Sequence, residues 1–439
     1  MQQASLRRDI EFEQFMQALP PEWEASMREL GAFTYAGKIL SPQELLRAIF
    51  LYCGPDQSLR EVAGTLTLQT GRITDQAVWK RLHRCTPFLK ALVKQMLPLA
   101  ALPPLPQSLR FLACDGTTIQ RPGATSADYR LHLVINLVSL RFHEVLLSDH
   151  KKGESLKHYH LQAGDVVVVD QGYCSYTGIL DAVYDQGADV IVRWNHQRLL
   201  YEQHDPTRAI DFCQELKKQQ PGTLFSIPVR LKYAELRKKK DKRELCGYLH
   251  VYRMTAKEAK EARKKVSRKH QKKQRKLSDK TLFLRQFVLV FTSLSSGLLS
   301  GEAVLAIYRC RWQIELAIKR MKSLINIKKL RAKQGSQLAE VYLYGKVLYQ
   351  LLIEQEMCTT FGYEWSGLGR ERQGTWWRLY KLLKTRLDAI LIAQWTWRPE
   401  AVSACFHVLM ERPRKRKLQR LPSRVMELRH SLNRLSNAA

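Results

Sequence analysis

A chain of 439 residues with 45% hydrophobic content is long enough for about two or three domains and a large buried core. Its 72 Lys and Arg against 41 Asp and Glu leave a net charge of +31, which points to a polyanionic partner, most often nucleic acid. No apolar run reaches the roughly 18 residues of a membrane span, and the N-terminal MQQASLRRDIEFEQF lacks a signal-peptide core. Nine scattered cysteines without a CxxC pair argue for reduced, cytosolic thiols and against a zinc module.

Residues 1–100 read as helical. LSPQELLRAIFLYCG has helical periodicity and stops at Gly54-Pro55, and SLREVAGTLTL opens with Ser58 and Glu61 in capping-box spacing. After Gly71, ITDQAVWKRLHRC begins at a Thr74 cap and carries Lys80, Arg81, His83 and Arg84. Helix, turn and basic helix fit a helix-turn-helix DNA reader with Lys80 and Arg81 as contacts, and equally a plain bundle with a solvated basic face. The Pro-rich stretch at 99–106 reads as a linker.

From Ser108 the pattern changes to strands. SLRFLACDGTTI, LHLVINLVSL and HEVLLSDH are spaced like a meander, and a helical stretch follows near ESLKHYH. GDVVVVDQGY is a wholly apolar strand ending in Asp170, Tyr176 to Asp185 suits a helix, and GADVIVRW is a fifth strand closed by Arg193 and Trp194. This order predicts a mixed α/β sheet of five strands with flanking helices, over 106–200 and again over 285–360. Between them, 201–284 is a basic insertion: Leu231 to Lys280 holds 20 Lys and Arg against six Asp and Glu. Charge at that density repels itself unless a polyanion neutralises it, so the helical run AKEAKEARKKVSRKHQKKQRK reads as a surface that follows a phosphate backbone. Strand character returns at FVLVFTSL. The last part, 361–439, is helical with a basic tail at 412–420.

One stretch, Tyr308 to Lys322, carries both an apolar and a polar stripe. At about 100° per residue, Arg311, Glu315 and Lys322 fall about 60°, 20° and 40° back from Tyr308, on one side of a single helix. Ile307, Ile314, Ile318, Met321 and Ile325 form an apolar stripe beside them, as a docked helix requires. Alone, Arg311 and Glu315 have the spacing of a surface ion pair. Two further carboxylates change that. Asp115 closes the apolar run FLAC and Asp170 closes VVVV, and a carboxylate at the end of a buried strand needs a cation or donors to stay ionised. Three such groups with no dedicated basic partner repel one another unless a divalent cation stands among them. Oxygen-only ligation favours Mg²⁺, or Mn²⁺ in its place. Paired ions of this kind serve phosphoryl transfer, with Arg311 and Lys322 placed to hold phosphates and Tyr308 to donate to a phosphate oxygen or pack on a base.

The order Asp115, Asp170, Glu315 resembles the DDE transposase and retroviral-integrase superfamily. The spacing Tyr-x2-Arg-x3-Glu-x6-Lys, met by Tyr308, Arg311, Glu315 and Lys322, is similar to the signature of one group of bacterial insertion-sequence transposases. ACDGTTI, KKGESLKHY and GDVVVVDQGY resemble the stretches around that group's first and second Asp, and the likeness spans about 75–430. It implies a ribonuclease-H-like core, Mg²⁺-dependent cleavage of double-stranded DNA at transposon ends, transfer of the freed 3′-hydroxyl to target DNA, a homodimer on DNA and a nucleoid-associated place in the cytoplasm. Asp115, Asp170 and Glu315 would be catalytic and metal-binding; Tyr308, Arg311, Lys322, Arg193, Trp194, Lys80 and Arg81 would contact DNA. The chain departs from the group's pattern in having Gln171 where an Arg is usual, and no Trp within 201–284 to stack on a displaced base, which leaves Trp194 as nearest candidate. The competing expectations are a nuclease of the same fold without strand transfer and a non-catalytic DNA-binding protein.

Overall fold

A computed structural model describes residues 11–70, 73–97, 109–232, 243–272, 274, 278–361 and 375–392. The linker expected at 99–106 and the basic tail at 412–420 lie outside them. The N-terminal part is helical: Trp23–Glu29, Pro42–Cys53, Leu59–Thr70, Asp75–Leu82 and Thr86–Met96. Its caps are those the sequence offers. Glu61 N–H donates to Ser58 Oγ at 3.3 Å while Ser58 N–H donates to Glu61 Oε2 at 2.5 Å, and Thr74 Oγ1 accepts from Ala77 N–H at 3.2 Å.

The strands β1 (Arg110–Ile119), β2 (Tyr129–Asn136) and β3 (Phe142–Asp149) form the expected antiparallel meander. On its other side β1 pairs in parallel with β4 (Asp165–Val169), and β4 with β5 (Asp189–Arg193). Alternation sends Phe111, Ala113, Val166, Val168 and Ile191 to one core, and Leu112, Cys114, Val167, Val169, Val190 and Val192 to the other. Both faces are covered, which is why these strands read as unbroken apolar runs. The first core is continuous from Phe12 to Leu391. It joins the N-terminal helices to the helix Trp312–Leu324 and the long helix Gln337–Phe361. The stretch near ESLKHYH is a single 3₁₀ turn, Leu156–His158, and the helix after Tyr176 stops at Leu180 and runs on as a π turn, Asp181–Asp185.

The expectation of five strands is corrected to nine, in the order β3-β2-β1-β4-β5-β9-β8-β7-β6. Here β6 (Tyr201–Glu202), β7 (Leu224–Lys232) and β8 (Glu244–Arg253) come from the basic insertion, and β9 (Phe287–Thr292) from the strand after it. The cause is edge pairing. β5 offers an open edge, β9 pairs with it antiparallel, and β8 then pairs with β9 through Leu249 opposite Phe291, so the insertion continues the sheet. Gly247 permits that approach, since a Cβ there would run into the Thr292 carbonyl and the Phe291 ring. The basic run forms the helix Ala256–Lys272, whose Lys257, Lys260, Lys264 and Arg268 are exposed.

A second correction concerns the stretch Tyr308 to Lys322. It is two helices, Gly301–Cys310 and Trp312–Leu324, joined at Arg311. At the join Arg311 N–H donates to the Tyr308 carbonyl and Ile314 N–H to the Arg311 carbonyl, both at 3.1 Å, an i→i−3 pattern that tightens the turn. The apolar stripe survives the break: Ile307, Ile314, Ile318, Met321 and Ile325 are all buried.

Candidate active site

The register of two parallel strands brings two of the predicted carboxylates together. β1 and β4 pair as far as Ala113 opposite Val168. Two residues further along from that pair come Asp115, still in β1, and Asp170, just past the end of β4, near enough that the Asp170 charge acts on the Asp115 carboxyl. Asp115 does not end its own strand, as expected from the sequence, because β1 continues against β2 to Ile119. Each carboxylate is steadied by a glycine N–H: Gly116 donates to Asp115 Oδ1 at 2.7 Å, and Gly172 to Asp170 Oδ1 at 2.8 Å.

Glu315 arrives on the helix Trp312–Leu324, one turn past Arg311. The Arg311 guanidinium stands between carboxylates, with Nη1 3.6 Å from Asp115 Oδ2 and Nη2 donating to Glu315 Oε1. Its side chain is only 12% exposed, so this is no surface pair. The carboxylates therefore do have a basic partner, contrary to the sequence reading, and among the described residues no three acidic or metal-ligating groups stand together as a ready metal cluster. Arg311 does not balance the site. Burial pushes the Asp115 carboxyl up to about 6, and the neighbouring Asp170 and Glu154 charges push the same way against Gly116 N–H and Arg311.

The other candidates divide. Tyr308 lies against Arg311 and Arg193, and burial holds its phenol above its ordinary range. Arg193 donates to the Phe287 carbonyl at 3.1 Å and, with Tyr308, Tyr252, Lys265, Val288 and Arg309, lines a cavity of about 380 Å³ beside the basic helix. Lys322 is half-buried, and burial lowers the affinity of its amine for a proton despite the opposing pull of Asp115. Trp194 is corrected to a core residue. It is 2% exposed, its ring packs against Phe291 and Tyr176, and its indole N–H donates to the Arg198 carbonyl, so no base can reach it. Gln171, in place of the usual Arg, donates to the Trp194 carbonyl at 3.5 Å. In the N-terminal helices Lys80 is exposed, whereas the Arg81 guanidinium lies 4.0 Å from the centre of the Tyr35 ring.

Sequence reasoning missed Glu154. It sits in the loop between β3 and the 3₁₀ turn Leu156–His158, its Oε1 accepts from Arg130 Nη1 at 3.2 Å, and its carboxylate reaches over Gly172 toward Asp170. The signal was present in KKGESLKHY, the stretch that precedes the second Asp, but Glu154 there reads as an ordinary loop acid.

Fold and site together define the class: an α/β protein with an acidic centre where β4 ends beside the middle of β1, crossed by one arginine. Residues 106–343 match the transposase DDE domain, and the chain belongs to that family, whose members are DNA transposases. It is 28% identical over 358 residues to the putative transposase InsL for insertion sequence element IS186A of Escherichia coli K12, spanning 81% of this chain and 95% of that one. It is 29% identical over 360 residues to the transposase for IS421 of E. coli, with the same coverage. A transposase for IS231F of Bacillus thuringiensis subsp. israelensis matches at 27% over 211 residues, 45% of this chain and 42% of that one. The solved piggyBac transposase synaptic complex with hairpin DNA superposes over 94% of this chain and 86% of its own at a TM-score of 0.41 and 8% identity.

Proposed function

We propose that this transposase cuts double-stranded DNA at its transposon ends and joins the freed 3′-hydroxyl to target DNA at the centre formed by Asp115, Asp170 and Glu315. The observation that carries the reading is the β1–β4 register, which sets Asp115 beside Asp170 with Arg311 linking Asp115 to Glu315. The residues fit divalent cations, Mg²⁺ with Mn²⁺ in its place. The donors are all oxygens, the negative charge exceeds what Arg311 offsets, and Gly172 leaves the space beside Asp170 that a Cβ would fill. When bound, such ions activate an attacking oxygen and stabilise a leaving one.

The chain's own groups supply positioning. Asp115, Asp170 and Glu315 would hold the ions, and Arg311, once released from the carboxylates, would bind a phosphate beside the cut. Tyr308 and Arg193 line the adjoining cavity, and Lys322 stands near Asp115 to meet a further phosphate. The exposed helix Ala256–Lys272 would follow the DNA backbone, and the helices up to residue 100, Lys80 included, would contact the ends. We assign the core to a ribonuclease-H-like sheet over 106–200 and 285–360 that the insertion extends, with a C-terminal region from 361 that includes the helix Trp376–Ile392. The active form would be a homodimer on nucleoid DNA in the cytoplasm.

The test uses the DNA that flanks the gene. Asp115→Asn, Asp170→Asn and Glu315→Gln should each reduce Mg²⁺-dependent end cleavage by about 10³-fold or more while DNA binding in a gel-shift assay stays near wild type. Cleavage at the wild-type rate by any of them would sink the assignment.

A further inference from the structure

We propose that Glu154 is a fourth carboxylate of the catalytic centre and holds the divalent cation alongside Asp170. The inference rests on the metal-dependent reading above and adds a ligand to it.

Three observations place Glu154 there. Its carboxylate faces the glycines that follow both aspartates: an added Cβ on Gly116 would stand 3.6 Å from Glu154 Oε1, and one on Gly172 would be driven into Glu154 Oε2. At Gly172 the same added Cβ would stand 3.0 Å from Asp170 Oδ1, so Glu154 and Asp170 flank one small gap that only glycine leaves open. The two oxygens of Glu154 are used unequally. Oε1 accepts from Arg130, whereas Oε2 has no hydrogen-bond donor among the described residues and points to the Asp170 side. Finally, the charges do not cancel. Among the described residues the only cations in ion pairs with Asp115, Asp170, Glu154 and Glu315 are Arg311, on Asp115 and Glu315, and Arg130, on Glu154. A structural acid serving Arg130 alone has no reason to spend its second oxygen against another carboxylate, whereas a shared cation turns that repulsion into ligation.

The probe is Mn²⁺ alone, titrated into the full-length protein and followed by electron paramagnetic resonance of the free ion. Glu154→Gln and Asp170→Asn should each weaken Mn²⁺ binding about 10-fold or more. Gly172→Ala, which displaces Glu154 without changing its charge, should weaken it as well, and supplies the answer if the Gln variant does not fold. Arg130→Gln should leave binding unchanged or tighter. Mn²⁺ bound to Glu154→Ala should carry one more coordinated water by line broadening in ¹⁷O-labelled water. Wild-type affinity in Glu154→Gln, with loss in Asp170→Asn, would overturn the Glu154 assignment and leave the metal reading standing. So would an unchanged water count, or a loss in Arg130→Gln equal to that in Glu154→Gln. Equal binding, or none, by wild type and Asp170→Asn would overturn both.

Discussion

Two cations shielded from water in this molecule are used in opposite ways. Lys346, fully buried on the long helix Gln337–Phe361, donates to Asp56 Oδ1 at 2.6 Å, to the Cys53 carbonyl at 2.8 Å and to the Ile325 carbonyl. An ammonium has three donors, and here each has its acceptor. Asp56 in turn accepts from the Tyr342 hydroxyl at 2.6 Å and from Asn326 at 3.1 Å. The node ties the end of the helix Pro42–Cys53 to the end of the helix that bears Glu315. Arg311 is also shielded from water, but it faces Asp115 and Glu315 with Asp170 and Glu154 close by, and one cation cannot satisfy them. A charge cluster that closes on itself makes a scaffold. One left with surplus charge is a place for something else to bind.

The contrast can be broken at either end, and the scaffold end should give the larger effect. Lys346→Met would leave Asp56 and two carbonyls without their buried partner and should cost about 3–5 kcal/mol of stability, read from denaturant unfolding. A cost near zero would mean that the node is not closed in this way. The basic helix offers a third case, of cations left wholly to solvent. Replacing Lys257, Lys260, Lys264 and Arg268 with Gln should flatten the salt dependence of DNA affinity by about 0.9 in log–log slope for each phosphate no longer neutralised, with little change in stability. An unchanged slope would remove this helix from the DNA path.

The smallest effect is at the acidic centre and has the opposite sign. Because the folded Asp115 carboxyl titrates near 6, above its ordinary value of 3.8, the folded state binds that proton more tightly than the unfolded chain. Stability is therefore lost as pH rises from about 4 to 6, and the penalty is complete above that window. Asp115→Asn should accordingly gain about 1–2 kcal/mol at pH 8 without added metal, and little or nothing at pH 4. Melting curves at the two pH values check this; an equal gain at both would remove the charge argument.

Much of the fold was legible in the sequence. The run VVVV announced a strand covered on both faces, the Ser58 and Thr74 caps fell where their spacing placed them, and the basic run proved helical and exposed. What sequence could not convey depends on contacts between distant segments. β9 reads as a strand but does not reveal that it will pair with both β5 and β8, which turned a five-stranded expectation into nine strands. Trp194 looked available because a tryptophan at a strand end resembles a stacking platform, and only the packing of Phe291 and Tyr176 shows it to be core. The break at Arg311 carries no proline or glycine to announce it. Glu154 stayed hidden because its role depends on the absence of a side chain at Gly172.

The most direct test supplies the enzyme with a precut end, taken from the DNA flanking its gene and bearing a free 3′-hydroxyl, together with a target plasmid and Mg²⁺. The account predicts that the wild-type protein joins end to target, and that Glu315→Gln binds the same DNA with unchanged affinity but yields no joined product. Joining by Glu315→Gln at the wild-type rate would contradict it.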